Sequence, residues 1–239
     1  MIVDERLITY LNSLDSGNPP YLEQLEQTAR ETYVPVIRKE TQSLLKVLVT
    51  LKRPGSILEI GTAIGFSALL MSEYAPDTCR ITTIENYEKR IPIARENIKK
   101  AGREQQITLL PGDAQQIMRT LNGPYDFVFM DAAKGQYLNF LPEAMRLLAP
   151  GGLLVSDNVL QEGSIIQSRY AIERRDRTIH TRMREYLYQL THHQELVSAI
   201  LPLGDGVAVS CKKTHGGKNE TTRTYSGDKE TAGTTHPGQ

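Results

Sequence analysis

SILEIGTAIGFS, residues 56–67, places a glycine-bounded turn between a short apolar run and the start of an amphipathic segment. Residues 56–60 have the β-branched, apolar content of a buried strand, and a helical pattern begins at Phe66. Gly61 and Gly65 let the turn approach a ligand closely, and the first turn of the helix offers free N–H groups. The stretch therefore predicts a strand, a binding turn and a helix, although glycines at such a turn also serve tight packing alone.

The same alternation continues toward the C-terminus. Four further apolar runs, RITTI, ITLLP, DFVFM and LLVSD, are separated by amphipathic segments. This order is typical of a doubly wound, mostly parallel α/β sheet with helices on both faces. After a helix predicted over residues 179–189, the runs LVSAILPL and GVAVSCKK are joined through GDG. They predict an antiparallel C-terminal hairpin that closes one edge of the sheet.

The remaining segments define the expected domain organisation. Helical patterns precede the sheet at residues 2–14, 21–33 and 37–51. They predict an N-terminal helical cap, residues 1–52, in front of a core at 53–213, so that residues 1–213 form a single domain. Residues 214–239 contain almost no apolar side chains, which predicts a disordered C-terminal tail.

The composition excludes several classes of protein. Lys plus Arg and Asp plus Glu number 28 each among 239 residues, so any basic surface is local. Cys79 and Cys211 have neither the spacing of a metal site nor the density of a disulfide-rich domain. The N-terminus has no apolar signal core, and no run approaches the roughly 20 apolar residues of a membrane span. We therefore expect a soluble, cytoplasmic protein without a membrane partner.

Acidic residues stand where a nucleoside would bind in such a fold. Glu59 precedes the glycine turn, and Glu85 ends the next strand, where doubly wound folds place an acid for ribose hydroxyls. Gly112-Asp113-Ala114 closes the third strand and could hold an adenine ring through backbone and carboxylate contacts. Because the turn lacks the third glycine of a pyrophosphate-binding fingerprint, the pattern favours a nucleoside ligand without phosphates.

Oxygen-bearing side chains follow the fourth and fifth predicted strands. Asp131 comes after DFVFM, and Asp157-Asn158 comes after LLVS, which we expect to be the neighbouring strand. The three side chains would then meet in the crevice at the carboxyl ends of the sheet. Two carboxylates and an amide oxygen suit Mg²⁺. The alternative is that these acids cap nearby helices, but the second group at an adjacent strand end favours a metal site.

The ordered motifs EIGTAIGFSAL, TTIE, GDA, FMDAAKGQY and SDNVL resemble the class I S-adenosylmethionine-dependent methyltransferases, in the metal-dependent catechol and caffeoyl-CoA O-methyltransferase branch. Within that branch, DAAKGQYLNFL, DNVL, the arginine-rich segment after it and ILPLGDGVAVSCKK are most similar to the bacterial tRNA 5-hydroxyuridine methyltransferases. The resemblance covers about residues 30–213. It implies a Rossmann-like seven-stranded sheet, S-adenosylmethionine as methyl donor and a bound Mg²⁺. The cofactor-binding positions it implies are Ile37, Glu59, Gly61, Ser67, Glu85, Asp113, Ala114 and Asp131.

Lys134, three residues after Asp131, is the predicted catalytic base, and Asp131 is the second predicted catalytic residue. A nearby divalent cation and burial disfavour the ammonium form, so the neutral amine could accept a hydroxyl proton. The resemblance implies a lysine with this role at this position; the alternative is a surface lysine that starts a loop. The ion would serve catechols and 5-hydroxyuridine alike, since each presents two adjacent oxygens.

The segment 169–184 contains six arginines and one histidine against two acids in an otherwise neutral chain. We predict that it holds the phosphates of a tRNA anticodon stem-loop while a splayed-out base enters the site. A solvated helix with internal ion pairs, or a dimer contact, is the alternative. Tyr137 and Tyr170 either stack on that base or belong to the core. The predicted RNA contacts are Arg169, Arg174, Arg175, Arg177 and Arg182.

Three hypotheses on function follow. The preferred one is Mg²⁺-dependent transfer of a methyl group from S-adenosylmethionine to the 5-hydroxyl of 5-hydroxyuridine at the tRNA wobble position. The alternative is a small-molecule O-methyltransferase of the catechol or caffeoyl-CoA type. A non-catalytic RNA-binding protein is disfavoured, because it would not need the full set of predicted ligands and base. The N-terminal helices either cover the cofactor or form a dimer surface, and we expect a homodimer.

Overall fold

The computed structural model describes residues 3–214, and its strands form one sheet. The strands are β1 (Ser56–Ile60), β2 (Arg80–Glu85), β3 (Ile107–Pro111), β4 (Tyr125–Met130), β5 (Leu148–Ser156), β6 (Leu196–Leu201) and β7 (Val207–Lys212). Their order across the sheet is β3-β2-β1-β4-β5-β7-β6. The first five strands are parallel, whereas β7 runs antiparallel to both β5 and β6. The predicted Rossmann-like, seven-stranded sheet with a C-terminal hairpin is therefore confirmed.

Helices precede the sheet and connect its strands. Those described are α1 (Glu5–Ser13), α2 (Pro20–Glu31), α3 (Lys39–Lys52), α4 (Phe66–Tyr74), α5 (Ile91–Lys100), α6 (Ala114–Thr120), α7 (Tyr137–Leu147) and α8 (Arg177–His192). Short 3-10 turns are present at Lys134–Gln136, Gln161–Ile166 and Arg169–Ala171. The helices after β1, β2 and β3 each begin within a few residues of the strand end, as the doubly wound pattern predicts.

Observed helix ends differ from the predicted ones by one to three residues. α1 begins at Glu5 because the Asp4 carboxylate caps it, accepting a hydrogen bond from Arg6 N at 2.9 Å. α3 begins at Lys39, which leaves Ile37 in the irregular segment before it. α8 is longer than predicted at both ends, and His192 is its last residue.

Alternate residues of the central strands pack against opposite helical layers. Leu58 and Val128 belong to the hydrophobic cluster on one face, and Ile57 and Phe127 belong to the cluster on the other. All four are fully buried, and each contributes about 1.5–3 kcal/mol relative to an exposed side chain. Because both faces of the sheet are covered, a site can form only at the ends of the strands. Strand order reverses between β1 and β4, where doubly wound folds open a crevice.

Two further expectations concern the membrane and the tail. Across residues 3–214, every helix is too short or too polar to cross a membrane. The predicted disordered tail, residues 214–239, lies outside the described residues except for Thr214.

Candidate active site

A cavity of about 930 Å³ opens where the strand order reverses. Ligand pockets of drug-like molecules have volumes of roughly 300–1,000 Å³, so a nucleoside cofactor fits. The segments that follow β1, β2, β3, β4 and β5 all contribute to its wall. The predicted site residues that line it are Ile37, Gly61, Ser67, Glu85, Asp113, Ala114, Asp131, Lys134, Asp157 and Asn158.

Gly61 packs the glycine turn against the loop that carries Asp131. Its φ is +104°, and a Cβ at this position would collide with the carbonyl oxygen of Asp131. The turn is also tied to β2, since the N–H groups of Gly61 and Thr62 donate to Ile84 O at 3.0 and 3.2 Å. Glycine is therefore required here for packing as well as for a ligand-facing backbone.

The two acids predicted to contact a nucleoside also hold the loops around the cavity. The Glu85 carboxylate accepts hydrogen bonds from the N–H groups of Ala63 at 2.7 Å and Tyr87 at 2.8 Å. Asp113 caps α6 by accepting from Gln116 N at 2.9 Å. Because both acids line the cavity, each combines a structural role with a ligand-facing position.

Glu59 is fully buried and does not line the cavity. Its Oε2 accepts a hydrogen bond from Thr83 Oγ1, and its Oε1 has no hydrogen-bond partner among the described residues. Burial is the main reason that the pKa of Glu59 rises to about 7. The expected direct cofactor contact of Glu59 is therefore wrong. Instead, Glu59 is held in the core by Thr83, and Ser67 lines the cavity without it.

Asp131, Asp157 and Asn158 meet at the carboxyl ends of the neighbouring strands β4 and β5. Asn158 Nδ2 donates to Asp131 Oδ1 at 3.0 Å, and the Asn158 N–H donates to Asp157 Oδ1 at 2.8 Å. Asn158 has a φ of +60°, a left-handed conformation that asparagine adopts more readily than most residues. The backbone thus turns sharply after β5 and brings the Asn158 side-chain amide next to the Asp131 carboxylate.

The electrostatics of these three side chains fit a divalent cation. Burial raises the pKa of Asp131, and burial together with the Asp131 charge raises the pKa of Asp157 to about 7. Two close carboxylates, one buried and one partly buried, are unfavourable without a compensating positive charge. Within residues 3–214, no group of three or more His, Cys, Asp or Glu side chains is placed to hold a metal. A cation here would therefore use two carboxylates, the amide oxygen of Asn158 and water, a set that suits Mg²⁺.

Lys134 lies in the cavity wall and forms an ion pair that the sequence did not reveal. Its Nζ is 3.1 Å from Asp205 Oδ2, in the turn between β6 and β7. Asp205 is only 5% exposed, and its other carboxylate oxygen accepts a hydrogen bond from Glu162 N. In the sequence, the only hint of this ion pair was Asp205 itself, an acid between Gly204 and Gly206 in the predicted hairpin turn. Both glycines have a positive φ in the structure. The lysine is thus held beside a buried carboxylate rather than solvated at the start of a loop.

Nothing in the sequence indicates Thr41 near the site, and the sequence alone leaves the roles of two tyrosines open. Thr41 Oγ1, on α3, lies 3.4 Å from Asp157 Oδ1 and is buried. Tyr137 is fully buried, so of its two predicted roles the core position is correct and stacking on a base is wrong. Tyr170, in contrast, is 87% exposed.

The basic segment lies next to the cavity without lining it. Arg182 donates to Gly135 O at 2.9 Å, one residue beyond Lys134. Arg175 forms exposed ion pairs with Glu173 and Asp176, as the solvated-helix alternative predicts. Of the predicted RNA contacts, Arg177 is partly buried, and those exposed to solvent are Arg169, Arg174, Arg175 and Arg182.

Comparison with known proteins gives consistent matches. Residues 12–213 match a protein family described as O-methyltransferase. The catechol O-methyltransferase of Niastella koreensis is 30% identical over 167 residues, which cover 68% of this chain and 70% of that protein. Caffeoyl-CoA O-methyltransferase 2 of Populus trichocarpa is 30% identical over 180 residues, covering 71% of each chain. The crystal structure of an O-methyltransferase from Bacillus cereus in complex with SAH aligns with a TM-score of 0.76 at 25% identity, covering 87% of this chain and 97% of that one.

Proposed function

Because this chain belongs to the S-adenosylmethionine-dependent O-methyltransferases of the catechol and caffeoyl-CoA type, we propose that it methylates one of two adjacent substrate oxygens with a divalent cation. One observation carries the proposal. The buried Asp157 carboxylate, the partly buried Asp131 carboxylate and the Asn158 amide converge in the same cavity wall as Lys134. Oxygen atoms of this kind suit a hard divalent cation, and an amine next to them suits the role of a proton acceptor. The non-catalytic hypothesis is set aside, since the chain is a methyltransferase.

The proposed reaction divides the work among residues of the cavity. S-adenosylmethionine would supply the methyl group and leave as S-adenosylhomocysteine, and a bound Mg²⁺ would supply Lewis-acid stabilisation of the attacking oxygen. Asp131, Asp157 and Asn158 hold the ion, and Lys134 Nζ accepts the hydroxyl proton. Nζ lies 3.1 Å from Asp205 Oδ2, and in the proposed reaction it would pass its own proton to water before accepting the hydroxyl proton. Asp205 then stabilises the ammonium that the transfer produces.

Small catechol-type compounds are the first substrate candidates, because the two relatives described above are a catechol and a caffeoyl-CoA O-methyltransferase. This reverses the order that the sequence alone favours. The 5-hydroxyl of tRNA 5-hydroxyuridine is the second candidate. Two features of the basic segment 169–184 favour it: Tyr170 and several of the arginines are exposed. The segment also lies close to Lys134, because Arg182 donates a hydrogen bond to Gly135 O. The free cysteines, Cys79 and Cys211, suit a cytoplasmic location for either substrate.

A parallel assay distinguishes the two substrates. The protein is given S-adenosylmethionine, Mg²⁺ and, separately, catechol, caffeoyl-CoA and hypomodified tRNA that contains 5-hydroxyuridine, and products are measured by mass spectrometry. For a small-molecule enzyme, we expect turnover of catechol-type compounds that an Arg169→Ala/Arg174→Ala variant retains. For a tRNA enzyme, the same variant should lose about tenfold or more in tRNA methylation, with a smaller salt dependence, because each arginine that contacts phosphate contributes to counterion release.

The matched control for this assay removes two exposed cations elsewhere. Lys99→Ala/Lys100→Ala on α5 should leave both activities unchanged. If the wild-type protein binds S-adenosylmethionine and methylates none of the three compounds in Mg²⁺, the proposed function is wrong.

We also propose a homodimer that forms through the N-terminal helices. α1 buries none of its nine residues, and a helix of this length is not stable in water by itself. Apolar side chains recur at helical spacing along α1, and α3 exposes two more. We take as the dimer face the exposed apolar residues of this region, which are 47–76% accessible: Leu7, Tyr10, Leu11, Leu14, Val47 and Leu51. A second copy of the chain would cover this face and stabilise the helix.

The Leu7→Glu/Leu11→Glu variant is expected to be monomeric, because two carboxylates would enter the apolar contact. Size-exclusion chromatography with light scattering measures the mass of the particle. Tyr188→Glu, which changes an exposed aromatic residue on α8, should remain dimeric. A monomeric wild type or a dimeric Leu7→Glu/Leu11→Glu variant contradicts the proposal.

A further inference from the structure

The hydroxyl of Tyr137 faces both chain segments that carry the proposed metal ligands. Tyr137 is the first residue of α7 and is completely buried. Its hydroxyl lies 3.1 Å from Met130 O and 3.0 Å from Asp157 O. Met130 is the last residue of β4, immediately before Asp131, and Asp157 follows the last residue of β5. One buried donor therefore bridges the ends of the two strands.

Tyr186, on α8, supports Tyr137 and contacts the same strand end. The two rings meet edge to face, with centroids 5.5 Å apart and planes at 76°, a favoured arrangement of aromatic pairs. The Tyr186 hydroxyl lies 2.6 Å from Ser156 Oγ, on the residue before Asp157. Tyr186 is also completely buried. Two helices thus restrain the ends of β4 and β5 from within the core.

The backbone alone does not fix this part of the site. The Asp157 N–H donates to Met130 O at 3.0 Å, which sets the register of the two strand ends. The Asp157 carbonyl, in contrast, accepts the hydrogen bond from Tyr137. Without that donor, a buried carbonyl would be left unpaired, and its peptide would reorient to find another partner. Reorientation of that peptide would move the Asp157 side chain relative to Asp131.

We propose that Tyr137 is a positioning residue that sets the separation of Asp131 and Asp157 for a divalent cation, with Tyr186 holding its ring in place. The inference rests on the proposed metal-dependent function. Since Tyr137 is completely buried, it acts through the two carboxylates and not by touching the substrate. Mutation of a group that orients metal ligands typically lowers metal affinity or activity by about 10–100-fold.

Tyr137→Phe removes the hydroxyl and keeps the ring, which makes it the direct test. With Mn²⁺ as the probe, calorimetry should show about 10–100-fold weaker binding in this variant, and S-adenosylmethionine affinity within about twofold of the wild type. Tyr125→Phe is the matched control. Tyr125 is a buried tyrosine at the other end of β4, with its hydroxyl 3.4 Å from Thr82 Oγ1. It should bind Mn²⁺ as the wild type does.

Asp157→Asn in the same experiment separates this inference from the proposed function. If the wild type binds no Mn²⁺, or if Asp157→Asn binds it equally well, the metal site is wrong and the inference falls with it. If binding depends on Asp157 but is unchanged in Tyr137→Phe, the inference alone is overturned. Should Tyr137→Phe fail to fold, as judged by circular dichroism, Tyr186→Leu replaces it, because that change removes the ring that supports Tyr137. Weaker Mn²⁺ binding by Tyr186→Leu then supports the inference, and unchanged binding overturns it.

Discussion

Lys134→Ala is expected to lower kcat by roughly 10²–10⁴-fold, the usual contribution of a positioned general base. S-adenosylmethionine affinity should stay within about twofold, because the change removes the proton acceptor and leaves the predicted nucleoside contacts in place. Steady-state kinetics and calorimetry measure the two quantities. Lys99→Ala, which removes an exposed lysine from α5, should turn over like the wild type. Turnover of Lys134→Ala near that of the wild type would remove the lysine from the mechanism.

The ion pair with Asp205 requires a second variant for this test. Alanine at position 134 leaves the buried Asp205 carboxylate without its partner, so part of any loss could come from disturbed packing. Lys134→Arg keeps a positive charge near Asp205, but a guanidinium does not release a proton at neutral pH. We therefore expect Lys134→Arg to fold like the wild type and still lose most of the turnover. An active Lys134→Arg variant would show that the position needs a charge and not a base.

The sheet and the convergence of the predicted ligands were accessible from sequence for a simple reason. Apolar runs separated by amphipathic segments specify parallel strands, and the carboxyl ends of parallel strands share one edge of the sheet. Residues that follow two neighbouring strands, such as Asp131 and Asp157, must then lie close together, and the structure places them so. No knowledge of side-chain packing was needed for that step.

Contacts that depend on packing across the chain were not accessible in this way. Lys134 and Asp205 are 71 residues apart, and Thr41 and Asp157 are 116 apart. Periodicity describes each segment separately and does not say which side chains meet when α3 or the β6–β7 turn folds over the cavity. Glu59 failed for a related reason: its place before the glycine turn suggested a ligand contact, whereas its side chain is buried against Thr83.

Asp157→Asn is expected to weaken binding of Mg²⁺ or Mn²⁺ by about 100-fold or more, with a parallel loss of turnover. Mutation of a group that only orients a metal ligand already lowers metal affinity by about 10–100-fold. Asp157→Asn goes further, because it removes the charge of a proposed ligand. Asp113→Asn is the matched control, because it neutralises another carboxylate of the same cavity and asparagine can still cap α6. It should bind the metal normally. Equal metal binding by the wild type and Asp157→Asn would contradict the proposed site.

Without metal, the Asp157→Asn variant should be more stable than the wild type at high pH. The pKa of Asp157 rises from 3.8 to about 7 on folding, chiefly through burial and the nearby Asp131 charge. Between those pH values the unfolded chain has lost this proton and the folded protein still binds it. The wild-type free energy of unfolding therefore falls as pH rises from about 4 to 7. Asp157→Asn lacks this dependence and should be more stable in EDTA at pH 8 by roughly 1–4 kcal/mol.

Mg²⁺ should reverse that difference, because the ion replaces the proton as the positive partner of the two carboxylates. At pH 8 it should raise the melting temperature of the wild type and leave that of Asp157→Asn nearly unchanged. At pH 5 protons compete for the same oxygens, so the effect of Mg²⁺ on the wild type should be small. Thermal melts at both pH values, with EDTA and with Mg²⁺, measure all four cases. A Mg²⁺ effect of equal size at pH 5 and pH 8 would show that the ion does not bind the Asp131–Asp157 pair.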